Sequence, residues 1–304
     1  MGTDLSEGAL VSAPPPDAPE EATVDHSQPG LARRLFRQRR FAVAIVVMAV
    51  LVLMAVWPGL FTHVGPTDCH LPDSELAPSG HHWFGTDLQG CDVYTRTVHS
   101  TRTSLSIGLA VAFLTVVVGG LAGLVAGYFG GAVDALLSRC TDIASGIPLI
   151  IGAIVLLSLV GHHGLMSVIL TLTLFGWPAC MRIMRASVLE AKSSEYVFAA
   201  KLLGAGPLHT IRRHIIPNSI TPLMLVGATS IGVFITAESV LSFLGIGLQA
   251  PTISWGSLAS DAEANFLKSP APLLFPSAFL CLTVLSFVTV ADALSDVMNV
   301  RVDP

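Results

Sequence analysis

The chain has 304 residues, of which 52% are apolar and only 12% charged, about half the charge usual in a soluble globular domain. A mean hydropathy of +0.69 makes lipid the solvent for most of the chain. The net charge of −5 leaves no bulk basic footprint for nucleic acid, and five cysteines exclude a dense disulfide framework.

Taken in chain order, the first 30 residues hold Pro14-Pro15-Pro16, six acidic residues and no Lys or Arg. Such a segment buries too little apolar surface to offset its ordering entropy, so residues 1–32 read as a disordered tail. With no basic start followed at once by an apolar run, it does not read as a secretory signal. The basic cluster Arg33, Arg34, Arg37, Arg39, Arg40 follows, then an uncharged apolar stretch from Phe41 to Trp57 ended by Pro58-Gly59.

Gaps between charges locate further spans. Between Arg102 and Asp134 lie 31 uncharged residues; between Asp142 and Arg182 lie 39, enough for two helices joined by the turn Gly161-His162-His163-Gly164. Two more gaps run from His214 to Ala237 and from Ser269 to Ala291. Six spans are expected, at about 41–60, 104–128, 140–160, 164–186, 218–245 and 272–292. The chain then divides into the tail, a basic anchor with the first helix (33–61), an outside loop (62–103) and a five-helix core (104–298) containing an inside loop (187–217). With the termini on the cytoplasmic side, 13 of the 16 Lys and Arg lie inside, so the positive-inside rule places both termini in the cytoplasm.

In the inside loop, Ser193 or Ser194 is suited to cap a helix running from Glu195 to Leu203. Gly204 ends it, and Gly206-Pro207 starts a second short helix. Small residues Ala199, Ala200, Gly204 and Ala205 suit close docking in a groove; the plainer reading is an amphipathic loop helix. Gly119, Gly123 and Gly127 form one face of the second span, fitted to close packing within this chain or against a second chain. The outside loop carries Cys69, His70, His81, His82 and Cys91, for which a disulfide between the cysteines, a zinc site and a plain polar loop all compete. Cys140, Cys180 and Cys281 read as small apolar fillers. No P-loop, Cys-x-x-Cys, Gly-x-Ser-x-Gly or His-Glu-x-x-His occurs, which disfavours an intramembrane enzyme and an ATP site of this chain's own. Glu238 is an ionisable group near the end of a span: either it lines a translocation path or outer gate, or it pins the fifth span by a hydrogen bond. Asp292 reads as an interfacial anchor.

Glu195-Tyr196-Val197-x-Ala199-Ala200-x-x-x-Gly204-Ala205, followed by Ile211-x-x-His214-x-x-Pro217-Asn218, resembles the EAA loop of importer-type ABC transporter permeases. Phe84-Gly85-Thr86-Asp87-x-x-Gly90-x-Asp92-Val93 with Arg102-x-Ser104-Leu105 is similar to the segment before the second span of dipeptide and oligopeptide permeases. So is Ala237-Glu238-x-x-Leu241-Ser242-Phe243-Leu244-Gly245-x-Gly247, with Pro251 and Ser254-Trp255-Gly256 after it. The resemblance covers roughly residues 80–298 and points to the C-type permease subunit of the peptide/nickel importer family.

That resemblance implies an all-α polytopic membrane protein with six transmembrane helices in the type I ABC importer permease fold, in a bacterial inner membrane. It implies no catalytic residue and no cofactor in this chain, with ATP and Mg bound by partner ATPase subunits. It assigns Glu195, Tyr196, Ala199, Ala200, Gly204 and Ala205 to coupling with those subunits. It further implies a second homologous permease subunit and an extracytoplasmic binding protein that delivers short peptides, with nickel complexes or haem as alternative solutes. Phe198 stands where the family's Glu-Ala-Ala triplet begins, so an apolar contact replaces an ionic one there; Cys91 stands where such proteins commonly carry arginine. A stand-alone secondary transporter is the competing class, and the internal repeats it would carry are not found.

Overall fold

The computed structural model describes residue 35, residues 38–161 and residues 164–299. The tail over 1–32, Arg33, Arg34, Arg37, the His162-His163 turn and Arg301 lie outside the described residues. The helices in order are α1 (Arg39–Val56), α2 (Val93–Phe129), α3 (Gly131–Ser145), α4 (Leu149–Val160), α5 (Leu165–Ser193), α6 (Glu195–Leu202), α7 (Pro207–Thr210), α8 (Ile216–Phe243), α9 (Trp255–Glu263) and α10 (Ala271–Asn299). A π-helical turn, Ile211–Ile215, joins α7 to α8. Among the described residues β pairing is limited to two isolated bridges, Cys69 with Cys91 and Thr86 with Asp92. Helices satisfy their own backbone groups, which is what a hydrocarbon solvent demands.

Five stretches are long and apolar enough to cross a bilayer: α1, α2, α5, the run Pro207–Phe243, and α10 as far as Val297. The expected third span, 140–160, is not one straight helix. Here α3 and α4 meet at 85°, and a sixth crossing exists only if this bent pair spans as a unit. The break falls at Gly146-Ile147-Pro148. Pro148 has no N–H to donate, its ring disfavours the helical conformation at Ile147, and Pro148 itself is extended with ψ 129°. The second span also differs from expectation. α2 starts at Val93, where the Asp92 carboxylate accepts the Thr95 N–H at 2.8 Å, so the preceding loop ends at residue 92 instead of 103.

α2 is the central helix and packs on α1, α5, α8 and α9. Its glycine stripe faces α5 of the same chain. A Cβ on Gly119 would stand 2.5 Å from the Trp177 carbonyl oxygen, and one on Gly123 2.5 Å from that of Met181. At Gly127 it would stand 2.8 Å from Val188 Cγ1. Of the two partners open to the stripe, the structure therefore selects α5. The main apolar core joins Ile107 and Val111 of α2 to Ala153, Leu157, Leu172, Phe234 and Leu241. A second cluster, Leu51, Leu105, Ile235, Trp255 and Phe287, ties α1, α8, α9 and α10 to α2.

Candidate functional site

The segment from α5 to α8 builds a helix–turn–helix at one end of the bundle. Ser194 holds the extended N-cap conformation of α6, yet its hydroxyl donates back to the Ala191 carbonyl at 2.5 Å and does not cap α6. At the other end of α6 the cap is complete: Ala205 N–H donates to Ala200 O and Gly204 N–H to Lys201 O, both at 3.0 Å. This pair of bonds is a Schellman motif, and it needs Gly204 at φ +85°, a left-handed conformation that glycine adopts without strain. Pro207 then opens α7 at its first position.

Val197 is the fully buried residue of α6. Glu195, Tyr196, Phe198, Ala199, Leu202 and Leu203 are exposed, Leu203 to 90%, and Leu208 of α7 adds to the same apolar surface. Ala200 and Ala205 are partly covered. Among the described residues this is an uncovered apolar face on a short, well-terminated helix. The Tyr196 ring lies 6.1 Å from that of His214, so the loop folds back on the start of α8. The last turns of α5 are clamped: Arg185 makes a two-pronged ion pair with Asp134 of α3, and Lys192 Nζ donates to Tyr128 O of α2 at 2.6 Å. These contacts tie the end of α5, next to α6, to α2 and α3.

At the opposite end, Glu238 is 0% exposed. Its carboxylate faces no open surface and sits in a packed junction. Ser242 Oγ donates to Oε1 at 2.8 Å, and Ser104 and Ser239 donate to Oε2 at 3.4 Å. Two of these hydroxyls also accept from backbone: Leu248 N–H to Ser242 at 3.0 Å, and Trp255 N–H to Ser104 at 3.2 Å. One carboxylate thus clips both ends of the segment between α8 and α9. The sequence reading missed α9 itself, although Ser254 and Ser257 form a reciprocal capping box at its start.

The loop before α2 is folded onto this same end. Cys69 and Cys91 are joined in a disulfide, which removes both as thiolate ligands. Among the described residues no group of three His, Cys, Asp or Glu converges to hold a metal ion. His82 Nδ1 lies 3.0 Å from Asp92 Oδ1, Thr62 and Thr95 share a 2.7 Å hydroxyl bond, and the Phe84 ring stacks on Phe275 at 3.8 Å. Two ion pairs that the sequence reading did not find complete it: Arg96 with Asp87, and Lys268 with Glu75. Both join residues with no shared local pattern.

The profile of the binding-protein-dependent transport system inner membrane component family matches residues 119–304. An oligopeptide transport system permease protein of Bacillus subtilis is 34% identical over 265 residues, covering 87% of each chain. A dipeptide transport system permease protein of the same organism is 36% identical over 268 residues, covering 88% of this chain and 83% of the relative. A putative peptide transport system permease protein of Brucella suis is 37% identical over 270 residues, covering 89% and 90%. Among solved structures, an inward-facing MetNI methionine ABC transporter matches with a TM-score of 0.55 at 18% identity, covering 66% of this chain and 96% of that one. An amino acid ABC transporter with histidines matches with a TM-score of 0.52 at 16% identity, covering 65% and 91%. The fold is that of type I importer permeases, and the chain belongs to the family of binding-protein-dependent transport system inner membrane components, the membrane-spanning permease subunits of ABC importers.

Proposed function

We propose that the chain works with a second permease subunit of its family to carry short peptides across the membrane, driven by ATP hydrolysed in partner subunits. The supporting observation is the exposed apolar unit formed by α6, Gly204 and α7, clamped through α5 to α2 and α3. Glu195, Tyr196, Ala199, Ala200, Gly204 and Ala205 form the part that enters the groove of an ATPase subunit, with Phe198 and Leu203 as apolar contacts. Motion of the groove walls on ATP binding then displaces α6, and the clamp passes that displacement to the helices around the path. ATP and Mg belong to the ATPase subunits, and this chain contributes no catalytic group. An extracytoplasmic binding protein delivers the peptide. The peptide assignment follows the names of the relatives, all of them peptide permeases.

Reconstitution with the second permease, the ATPase and the binding protein in proteoliposomes tests this reading. Labelled dipeptides and tripeptides are expected to accumulate only with ATP. Uptake of a nickel complex or haem with no peptide uptake would overturn it.

Both termini and α6 lie in the cytoplasm in this arrangement, and the Cys69–Cys91 loop lies outside, shaped to receive the binding protein. A disulfide closing a loop of this length is worth roughly 3 kcal/mol by the chain-entropy model. A membrane-impermeant maleimide reads both points. Ser193→Cys is expected to react only from the cytoplasmic side and Ser79→Cys only from outside; reaction of both from one side rejects the topology. Without a reductant the parent chain is expected to show no reactive thiol in its outside loop. Labelling of Cys69 and Cys91 before reduction means that the loop is open.

A further inference from the structure

A polar cavity of about 220 Å3 lies between α2, α9 and the segment joining α8 to α9. It shares Ser242 and Leu248 with the edge of the Glu238 junction but opens away from the carboxylate, which is fully buried. Its walls include Arg96, Gln249, Thr252, Ser257, Ser260 and Asp261. Arg96 is mostly buried, and its guanidinium is unevenly used. Nη1 is paired tightly with Asp87, Nη2 stands at a long 3.5 Å from Asp261 Oδ2, and the buried Nε has no hydrogen-bond partner. A guanidinium has five donors in a fixed fork; the buried Nε is out of a ligand's reach, so the capacity left to the cavity lies on the loosely held Nη2.

Asp261 is the second charged group of the wall. Its side chain is 56% exposed, so its carboxylate remains reachable from the cavity. Burial of its surroundings pushes its carboxyl above the usual range, with Arg96 opposing that shift and Asp87 adding to it. A perturbed carboxyl with a specific charge partner, in a cleft with convergent polar groups, is a candidate binding site. The carboxylates of Asp87 and Asp261 face the single guanidinium of Arg96, so the trio is net negative and attracts a cationic group first. The long Arg96–Asp261 pair, in turn, is one that a ligand carboxylate can enter.

We infer that this cavity binds a free, dipeptide-sized zwitterion, with its ammonium on Asp261 and its carboxylate on Arg96. The inference rests on the peptide-permease reading and deepens it by naming the site and the two charges recognised. Drug-sized ligands occupy pockets of about 300–1,000 Å3, so a smaller cavity limits the occupant to one or two residues. Gln249 and Thr252 supply hydrogen-bonding groups for the peptide amide. The wall they stand on is held at both ends by the Glu238 relay, which preorganises the site.

The test uses the full reconstituted complex with Cys140, Cys180 and Cys281 replaced by serine, the disulfide retained and Ser260→Cys as reporter. Reaction of that thiol with an impermeant maleimide is timed with alanyl-alanine and with its N-acetylated, C-amidated form. Saturating free dipeptide is expected to slow labelling about tenfold, and the uncharged form to leave it unchanged; Asp261→Asn is expected to weaken protection at least about tenfold, the loss of one charge-assisted bond. The comparison of capped and free peptide uses the native Asp261 and so does not depend on how that variant folds. Equal protection by both peptides overturns the charge recognition. Absence of protection in a complex that still takes up the dipeptide overturns the site alone. Absence of both overturns the site and the peptide reading together.

Discussion

Replacing Gly204 by leucine is expected to uncouple ATP hydrolysis from the permease while leaving membrane insertion intact. Gly204 stands at φ +85°, where a Cβ costs about 1–2 kcal/mol in the left-handed region. The space above it is open, with no heavy atom within 4 Å of where a Cβ would stand, so the chain itself suffers no clash. The strain therefore falls on the Schellman turn that ends α6, and the leucine projects into that open space. A cost of that size corresponds to about a tenfold shift in an equilibrium, to which steric obstruction of docking adds. Gly204→Asn is the control, because asparagine tolerates the left-handed conformation, and it is expected to recover part of the coupling. The readout is solute-stimulated ATP hydrolysis in the reconstituted complex. A normal rate with Gly204→Leu would remove α6 as the coupling element.

The second large effect is expected at Glu238. Glu238→Ala leaves the hydroxyls of Ser104, Ser239 and Ser242 buried without their shared acceptor, at a cost of about 2–3 kcal/mol. The damage spreads, because Leu248 N–H and Trp255 N–H depend on two of those hydroxyls for their positions. Glu238→Gln keeps an acceptor and the volume and is expected to cost under about 1 kcal/mol, a modest single-bond effect. The fraction of folded protein left after graded heating in detergent separates the two. If the alanine variant survives heating as well as the parent, the junction does not hold this end of the bundle together.

These two residues illustrate what contiguous sequence carries. Gly204 is legible because its role is local. A glycine after an apolar helix, then Gly206-Pro207, encodes a stop and a restart within a few residues. Glu238 is legible only as an anomaly, an ionisable group near the end of a span. Which of its two readings holds depends on Ser104, 134 residues away, and on Trp255, whose N–H reaches Ser104 across 151 residues.

The same division runs through the fold. The apolar stretches, the asymmetry of Lys and Arg and the helix stops are one-dimensional signals, since lipid rewards long uncharged runs wherever they fold. From these alone the chain is helical and polytopic, and its α6 loop motif already resembles that of importer permeases. The bend between α3 and α4 had a local sign in Gly146-Ile147-Pro148, but its 85° angle appears only in the fold, where α3 packs on α2 and α5 and α4 on α5 and α8. The glycine stripe of α2 announced a close neighbour without naming it; the pairing with α5 required the third dimension. The Arg96–Asp87–Asp261 trio had no linear signature at all. Its charges belong to a loop, to α2 and to α9, and a charge shows no partner until tertiary packing brings one within reach.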